Sequence, residues 1–199
     1  MTFQELVNEV LVIVKRPDLT DRVESQVRAS TLKMHHSDFY YRDLVEVSVE
    51  FSEELFIQNF IPTEVVPKFR KVKYIRIWRG NADGMPGQFL TPIQIENSND
   101  AYGYIKENVF YMAGQMLQVR TSTALKRILF GAYVHPTITP DNAYTSWIAD
   151  EYPFAIIYEA ARAIFRSIGF QEQANEYAQL AGEVLGEIKL SCVDDVPLT

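Results

Sequence analysis

The apolar positions of this chain change their period twice, from helical to alternating and back to helical. At the start, Phe3, Leu6, Val7, Val10, Leu11 and Val14 recur three or four apart, the spacing of a single helical stripe. Thr2 followed by Glu5 forms a capping box ahead of them, so a helix is expected over residues 2–15, stopped by Pro17. Asp18 can cap a second helix over 19–36, in which Val23, Val27 and Met34 share a face. Gln26, Ser30 and Thr31 interrupt that face, so this helix is either half solvated or meets a polar partner surface.

From residue 44 the period becomes two. Val45, Val47, Val49 and Phe51 alternate with Glu46, Ser48 and Glu50, the pattern of a half-buried strand. An irregular piece with two prolines follows over 56–67, consistent with an edge or loop. A second strand is expected over 69–78, with a phase slip between Tyr74 and Ile75 that marks a bulge or two covered faces. Residues 80–87 are turn-rich and read as a mobile loop tip. Short strands are expected over 88–95, 109–112, 116–121 and 128–134, with a hairpin about Ala113, Gly114 and Gln115. His135 and Pro136 end this β-rich middle over 44–136.

The helical period then returns. A short helix is expected over 142–149, capped by Asp141 and carrying Tyr144, Trp147 and Ile148. Pro153 suits the first turn of a helix over 152–168, with Asp150 or Glu151 as its acidic cap. Gly169 ends it, and a helix over 171–190 folds back antiparallel after so short a connection. The tail over 191–199 is acidic and carries a proline, so it is expected to be flexible. The whole reads as one α+β domain over 1–199: N- and C-terminal helices form a bundle, and a small antiparallel sheet or barrel is inserted between them in sequence.

Composition narrows the partners. The chain has 199 residues, 47% of them hydrophobic, with eleven Tyr and twelve Phe; that aromatic supply serves cores and the buried centres of interfaces. A net charge of −7 opposes general nucleic-acid binding. The lone Cys192 leaves no internal disulfide and fits a reducing compartment. The first residues carry neither a basic n-region nor a cleavage site, and no apolar run approaches a membrane span, so a cytosolic protein is expected.

Candidate chemistry is sparse. His35, His36 and Asp38 are close in sequence, but adjacent helical histidines point about 100° apart, so they read as exposed residues at a helix end. Cys192 sits beside acids, opposite to the setting of a reactive thiolate. No catalytic residue, metal ligand or cofactor is expected. The basic run is more informative: residues 68–79 hold six Lys and Arg and no acid, interleaved with Phe69, Tyr74 and Trp78. Such a strand suits single-stranded nucleic acid, or pairs with acids such as Glu46, Glu50, Glu53 and Glu54 on its own or a neighbouring subunit.

Residues 145–153 (Thr-Ser-Trp-Ile-Ala-Asp-Glu-Tyr-Pro), followed by the Ala-rich helix through Ile157, Tyr158, Glu159, Ala160 and Ala161, resemble the C-terminal module of tailed-bacteriophage head-to-tail adaptor (neck) proteins. The opening through Arg16, Pro17, Asp18 and Leu19 is similar too, as is the close of the β-rich middle on Ala132, Tyr133, Val134, His135 and Pro136. The resemblance implies a structural virion protein, assembled in the host cytoplasm. Copies would form a ring, usually a dodecamer, below the portal; the ring extends the DNA channel without sequence-specific binding and offers a docking surface to a tail or nozzle protein. A terminal extension of the family reaches the portal; here its counterpart is 190–199, with Leu190, Val193, Val196, Pro197 and Leu198 as contact residues. That segment is short, so the N-terminal helices are the alternative. In a closed ring each subunit uses two different faces, and Glu46, Glu50 and Glu53 on one copy are expected to meet Lys71, Lys73 and Arg76 on the next. The rival readings are a tail-completion or terminator protein, against which the helices argue, and a nucleic-acid-binding accessory factor using the strand over 68–79.

Overall fold

A computed structural model describes residues 1–78, 87–99, 103–139 and 143–194. All of the expected loop tip at 80–87 except Gly87, and the expected cap Asp141, lie outside the described residues. The fold is α+β: N-terminal helices, a central mixed and nearly closed barrel-like sheet, and C-terminal helices that pack with the N-terminal ones. Contacts gather into two compact units, Met1–Asp43 with His135–Thr199, and Leu44–Val134.

The helical unit is built on α1 (Phe3–Val14) and α2 (Thr20–His36), then α4 (Trp147–Glu151), α5 (Pro153–Ser167) and α6 (Gln171–Asp194). Thr2 and Glu5 make the expected capping box reciprocally. The α1 stripe buries Phe3, Leu6, Val7, Val10 and Val14 against Val23 and Val27 of α2 and Ile156, Ile157, Ala160 and Ile164 of α5. Full burial of such side chains contributes about 2 kcal/mol each. Of the polar interruptions of α2, Ser30 and Thr31 are buried inside the unit and Gln26 is half-buried; Thr31 donates to Val27 O at 2.8 Å and lies 2.9 Å from the Tyr144 hydroxyl. Asp18 does not cap α2; its carboxylate binds Arg16 at 2.7 and 2.8 Å within a single turn over Pro17–Leu19. The short helix starts later than expected because Ser146, not Asp141, is its cap. Gly169, at φ +87°, turns the chain between α5 and α6. Helix α6 runs to Asp194, four residues into the expected tail.

The sheet unit contains β1 (Leu44–Phe60), a turn of helix α3 (Pro62–Val65), β2 (Phe69–Ile77), β3 (Gln88–Phe89), β4 (Thr91–Pro92), β5 (Val109–Ala113) and β6 (Met116–Val134). The strand order is β3-β2-β6-β5-β4, with β1 also on β6. The two strands expected over 116–121 and 128–134 are one continuous strand, β6, that binds β1 along both halves. Glu50 pairs with Arg127 before a register shift, and Ile57 with Arg120 after it. Strand β1 therefore continues to Phe60, where the sequence suggested a loop, because Leu117 to Arg120 of β6 supply its bonds. Strand β2 shifts register against β6 twice, between Phe69 and Lys71 and between Val72 and Tyr74, the second one step before the phase slip of its sequence. Strands β2 and β5 both bond to β6, and the segment β3–β4 crosses between them: antiparallel to β2 at Arg76 and Ile77, parallel to β5 at Val109 and Phe110. The enclosed core holds Ile75, Ile77, Leu117, Val119, Ile128 and Phe130.

Candidate subunit interface

As far as Glu50, alternation places the even-numbered residues of β1 away from that core. Glu46, Ser48 and Glu50 stand opposite Gly131, Leu129 and Arg127 of β6, and on the far side of β6 stand Tyr74 and Arg76 of β2. All six expected interface residues belong to the sheet unit. Glu46 and Glu50 lie on β1 and Lys71, Lys73 and Arg76 on β2, on either side of β6, and Glu53 follows in the β1 bulge.

The row is locked by one small residue. A Cβ built on Gly131 would lie 2.7 Å from Cε2 and Cζ of the Tyr74 ring. With no side chain there, the ring crosses β6 and its hydroxyl donates to the Glu46 carboxylate on the opposite strand. Burial first, then this bond to a carboxylate, push the Tyr74 hydroxyl up to about 12. Phe89 meets the same ring edge-on, with centroids 5.5 Å apart. Glu46 is thus occupied within its own chain. Glu50 keeps a 74% exposed side chain and reaches Arg127 only at 3.9 Å, a separation at which an exposed pair contributes little.

The cations are laid over rings. Lys73 lies 5.9 Å from the centre of Tyr133, Arg76 lies 4.9 Å from Phe89, and Arg127 lies 4.4 Å from Trp78. Lys71 and Lys73 are exposed, whereas Arg76 is half-buried. Aromatic seating of this kind keeps a guanidinium or ammonium extended while covering apolar surface.

Beyond Glu50 the strand bulges. The Gln58 amide, buried at 6% exposure, donates to Glu53 O at 2.7 Å and Leu125 O at 2.9 Å and so replaces missing ladder bonds. The bulge presents Leu55, Phe56 and Ile57 at 46%, 59% and 40% exposure. Three consecutive exposed apolar side chains beside Glu53 and Glu54 form an apolar knob with a charged collar, which sequence alternation alone does not show. The signals that were available were Gly131, a lone glycine inside a strand pattern, and Gln58, a polar residue in an apolar run.

Among the expected portal contacts, Leu190 is 70% exposed on α6, and Val193 lies in the last turn of that helix. Val196, Pro197 and Leu198 lie outside the described residues.

One polar constellation in the helical unit is not legible in sequence. His35 is 1% exposed, in contrast to the exposed helix end expected for it. Its Nδ1 lies 2.9 Å from Asp43 Oδ1 and its Nε2 lies 2.9 Å from Ser146 Oγ. The Trp147 indole donates to the same Asp43 oxygen at 2.9 Å. Asp, His and Ser in this order have the connectivity of a nucleophilic triad. Ser146 is only 6% exposed, however, and its Oγ accepts from Ala149 N at 3.2 Å as the cap of α4. The hydroxyl is a structural bond that ties α2, the turn at Tyr41–Asp43 and α4 together, not a presented nucleophile. His36 is exposed and its Nε2 lies 2.9 Å from His135 Nδ1. Among the described residues no group of three or more His, Cys, Asp or Glu side chains is placed to hold a metal ion, and no helix is long and apolar enough to cross a membrane.

Comparison with known protein families and with curated proteins found no match.

Proposed function

We propose that the chain is a structural subunit of a tailed-bacteriophage neck: a head-to-tail adaptor whose copies form a ring below the portal, extend the DNA channel and present a surface to the tail. The observation that carries this reading is the outer surface of the sheet unit. There Glu50 and Glu53, the exposed Lys71 and Lys73, and the apolar knob of Leu55, Phe56 and Ile57 share one compact body. A surface with both charge signs and unpaired apolar groups suits a subunit with two different flanks, as ring closure requires. The net charge of −7 supports the conduit role, since acidic walls do not retain passing DNA. The residue strings of the C-terminal module, 145–161, supply the link to adaptors.

The contact expected between copies sets Lys71 and Lys73 of one subunit against Glu50 and Glu53 of the next. Lys71→Glu with Lys73→Glu weakens ring assembly, and reversing Glu50 and Glu53 to Lys in the same chain restores it. The readout is the ring fraction in electron micrographs and sedimentation profiles. Assembly unchanged by the double reversal would remove this surface from the ring.

A further inference from the structure

Two apolar features of the sheet unit lie off opposite edges of β6, one convex and one concave. The convex one is the bulge of β1, where Leu55, Phe56 and Ile57 are exposed in succession. Single exposed apolar side chains are ordinary, but three in a row on a fixed backbone are not. That backbone is fixed by the Gln58 amide, bonded to Glu53 O and Leu125 O, and by Thr121 Oγ1, 3.3 Å from Phe56 O. The concave feature is a seam between β2 and β5. The segment of β3 and β4 holds β2 as far as Leu90 N to Ile75 O (2.9 Å) and β5 through Ile93 N to Phe110 O (3.0 Å), then turns away at Ile95–Asn97. The gap is a groove of about 670 Å³, within the range of formed binding sites. Phe69, Val72, Ile93 and Phe110 line its apolar part, and Ile95 and Met112 stand exposed on its rim. Leu117 and Val119 of β6 pair with Phe60 and Gln58 of β1 on one edge and with Met112 and Phe110 of β5 on the other. The strand therefore stands between knob and groove, and neither fills the other within one chain.

We infer that this groove receives Leu55, Phe56 and Ile57 of a second copy of the chain. The inference deepens the ring reading and rests on it: that reading already sets the β1 edge of one copy against the β2 edge of the next. The knob follows Glu53 on the first edge, and the groove opens beside Phe69 on the second. The fit is one of shape and apolar surface. A short apolar anchor entering a formed pocket is the kind of contact that carries most of the binding energy of an interface. Both features are already formed in the single chain, so little ordering opposes their association. Knob into groove is heterologous and leaves each copy with one free feature of each kind, so the contact repeats in series and makes a ring where its rotation closes.

The test mixes two variants of the full chain. Phe56→Glu spoils the knob and keeps the groove, whereas Met112→Glu spoils the groove and keeps the knob. Both positions are exposed, so each variant keeps the thermal midpoint of the parent. In sedimentation velocity the parent associates at micromolar concentration, each variant alone associates at least tenfold more weakly, and the two together give one-to-one pairs and nothing larger. A photoreactive benzoylphenylalanine in place of Phe56 cross-links to residues 93–96 or 110–112 of another copy. A parent that stays monomeric at about 0.1 mM overturns the inference. So do variants that associate like the parent, and a mixture that fails to pair where the parent associates. One-to-one pairing of the variants while portal rings stay bare would remove the ring reading and keep this contact. Rings that Phe56→Glu builds on portals as well as the parent does would keep the ring reading and remove this contact.

Discussion

Replacing Gly131 by Ala inserts a methyl where the Tyr74 ring now lies. The new carbon would stand 2.7 Å from two ring atoms and 3.0 Å from a third, about 1 Å inside normal contact. The backbone at Gly131 has no left-handed strain, so alanine itself is tolerated and even gains about 0.5 kcal/mol from the unfolded chain. The ring must therefore swing off β6. It then gives up its bond to Glu46 and its edge contact with Phe89, about 1 kcal/mol each at a half-exposed site. Net destabilisation of about 1.5 kcal/mol is expected in urea unfolding. A double-mutant cycle decides the cause. With Tyr74→Ala already present there is no ring to displace, so Gly131→Ala becomes neutral or slightly stabilising, and the coupling is about 2 kcal/mol. Additivity within about 0.5 kcal/mol would refute the claim that the glycine exists for the tyrosine.

Three other outcomes follow from the same contacts. His35→Ala deprives the buried Asp43 carboxyl of one of its side-chain partners, leaving the Trp147 indole, and is expected to cost about 3 kcal/mol in urea unfolding; a loss under about 1 kcal/mol would contradict a structural role. Gln58→Leu leaves Glu53 O and Leu125 O without their donor, so limited proteolysis is expected to cut within 51–57 faster than in the parent, and an unchanged cleavage rate would count against the amide as the clamp of the bulge. The Tyr74 hydroxyl titrates near 12 when folded and near 10 when unfolded, so the unfolded state releases its proton first. That contribution is complete below pH 10 and is lost between pH 10 and 12; Tyr74→Phe is expected to flatten this part of the stability profile, and an unchanged profile would refute it.

Periodicity made the helices legible because each has one dominant face. The stripe of α1 and that of α5 end at Pro17 and Gly169, and the structure places their termini within a few residues of those signals. What escaped is set by distant partners. Strand β1 outlasts its own alternation because β6, more than fifty residues later, supplies bonds as far as Phe60. Asp18 finds a closer cation in Arg16, so it leaves the helix end that its position suggested. His35 looks like a solvated helix terminus until Asp43 and Ser146, the latter 111 residues away, close over it. The charged surface was half legible: alternation placed Glu46 and Glu50 outward, whereas the seat of Lys73 on Tyr133 and the capture of Glu46 by Tyr74 depend on strand register at β6, and the seat of Arg76 on Phe89 depends on the pairing of β2 with β3.

The adaptor reading meets its most direct test in electron microscopy of this chain mixed with the portal protein encoded in the same genome. The account predicts portal rings that gain a second, coaxial ring of this subunit on one side, with one copy for each portal subunit. Portals that remain bare at micromolar subunit, with the chain sedimenting as if no portal were present, would contradict it.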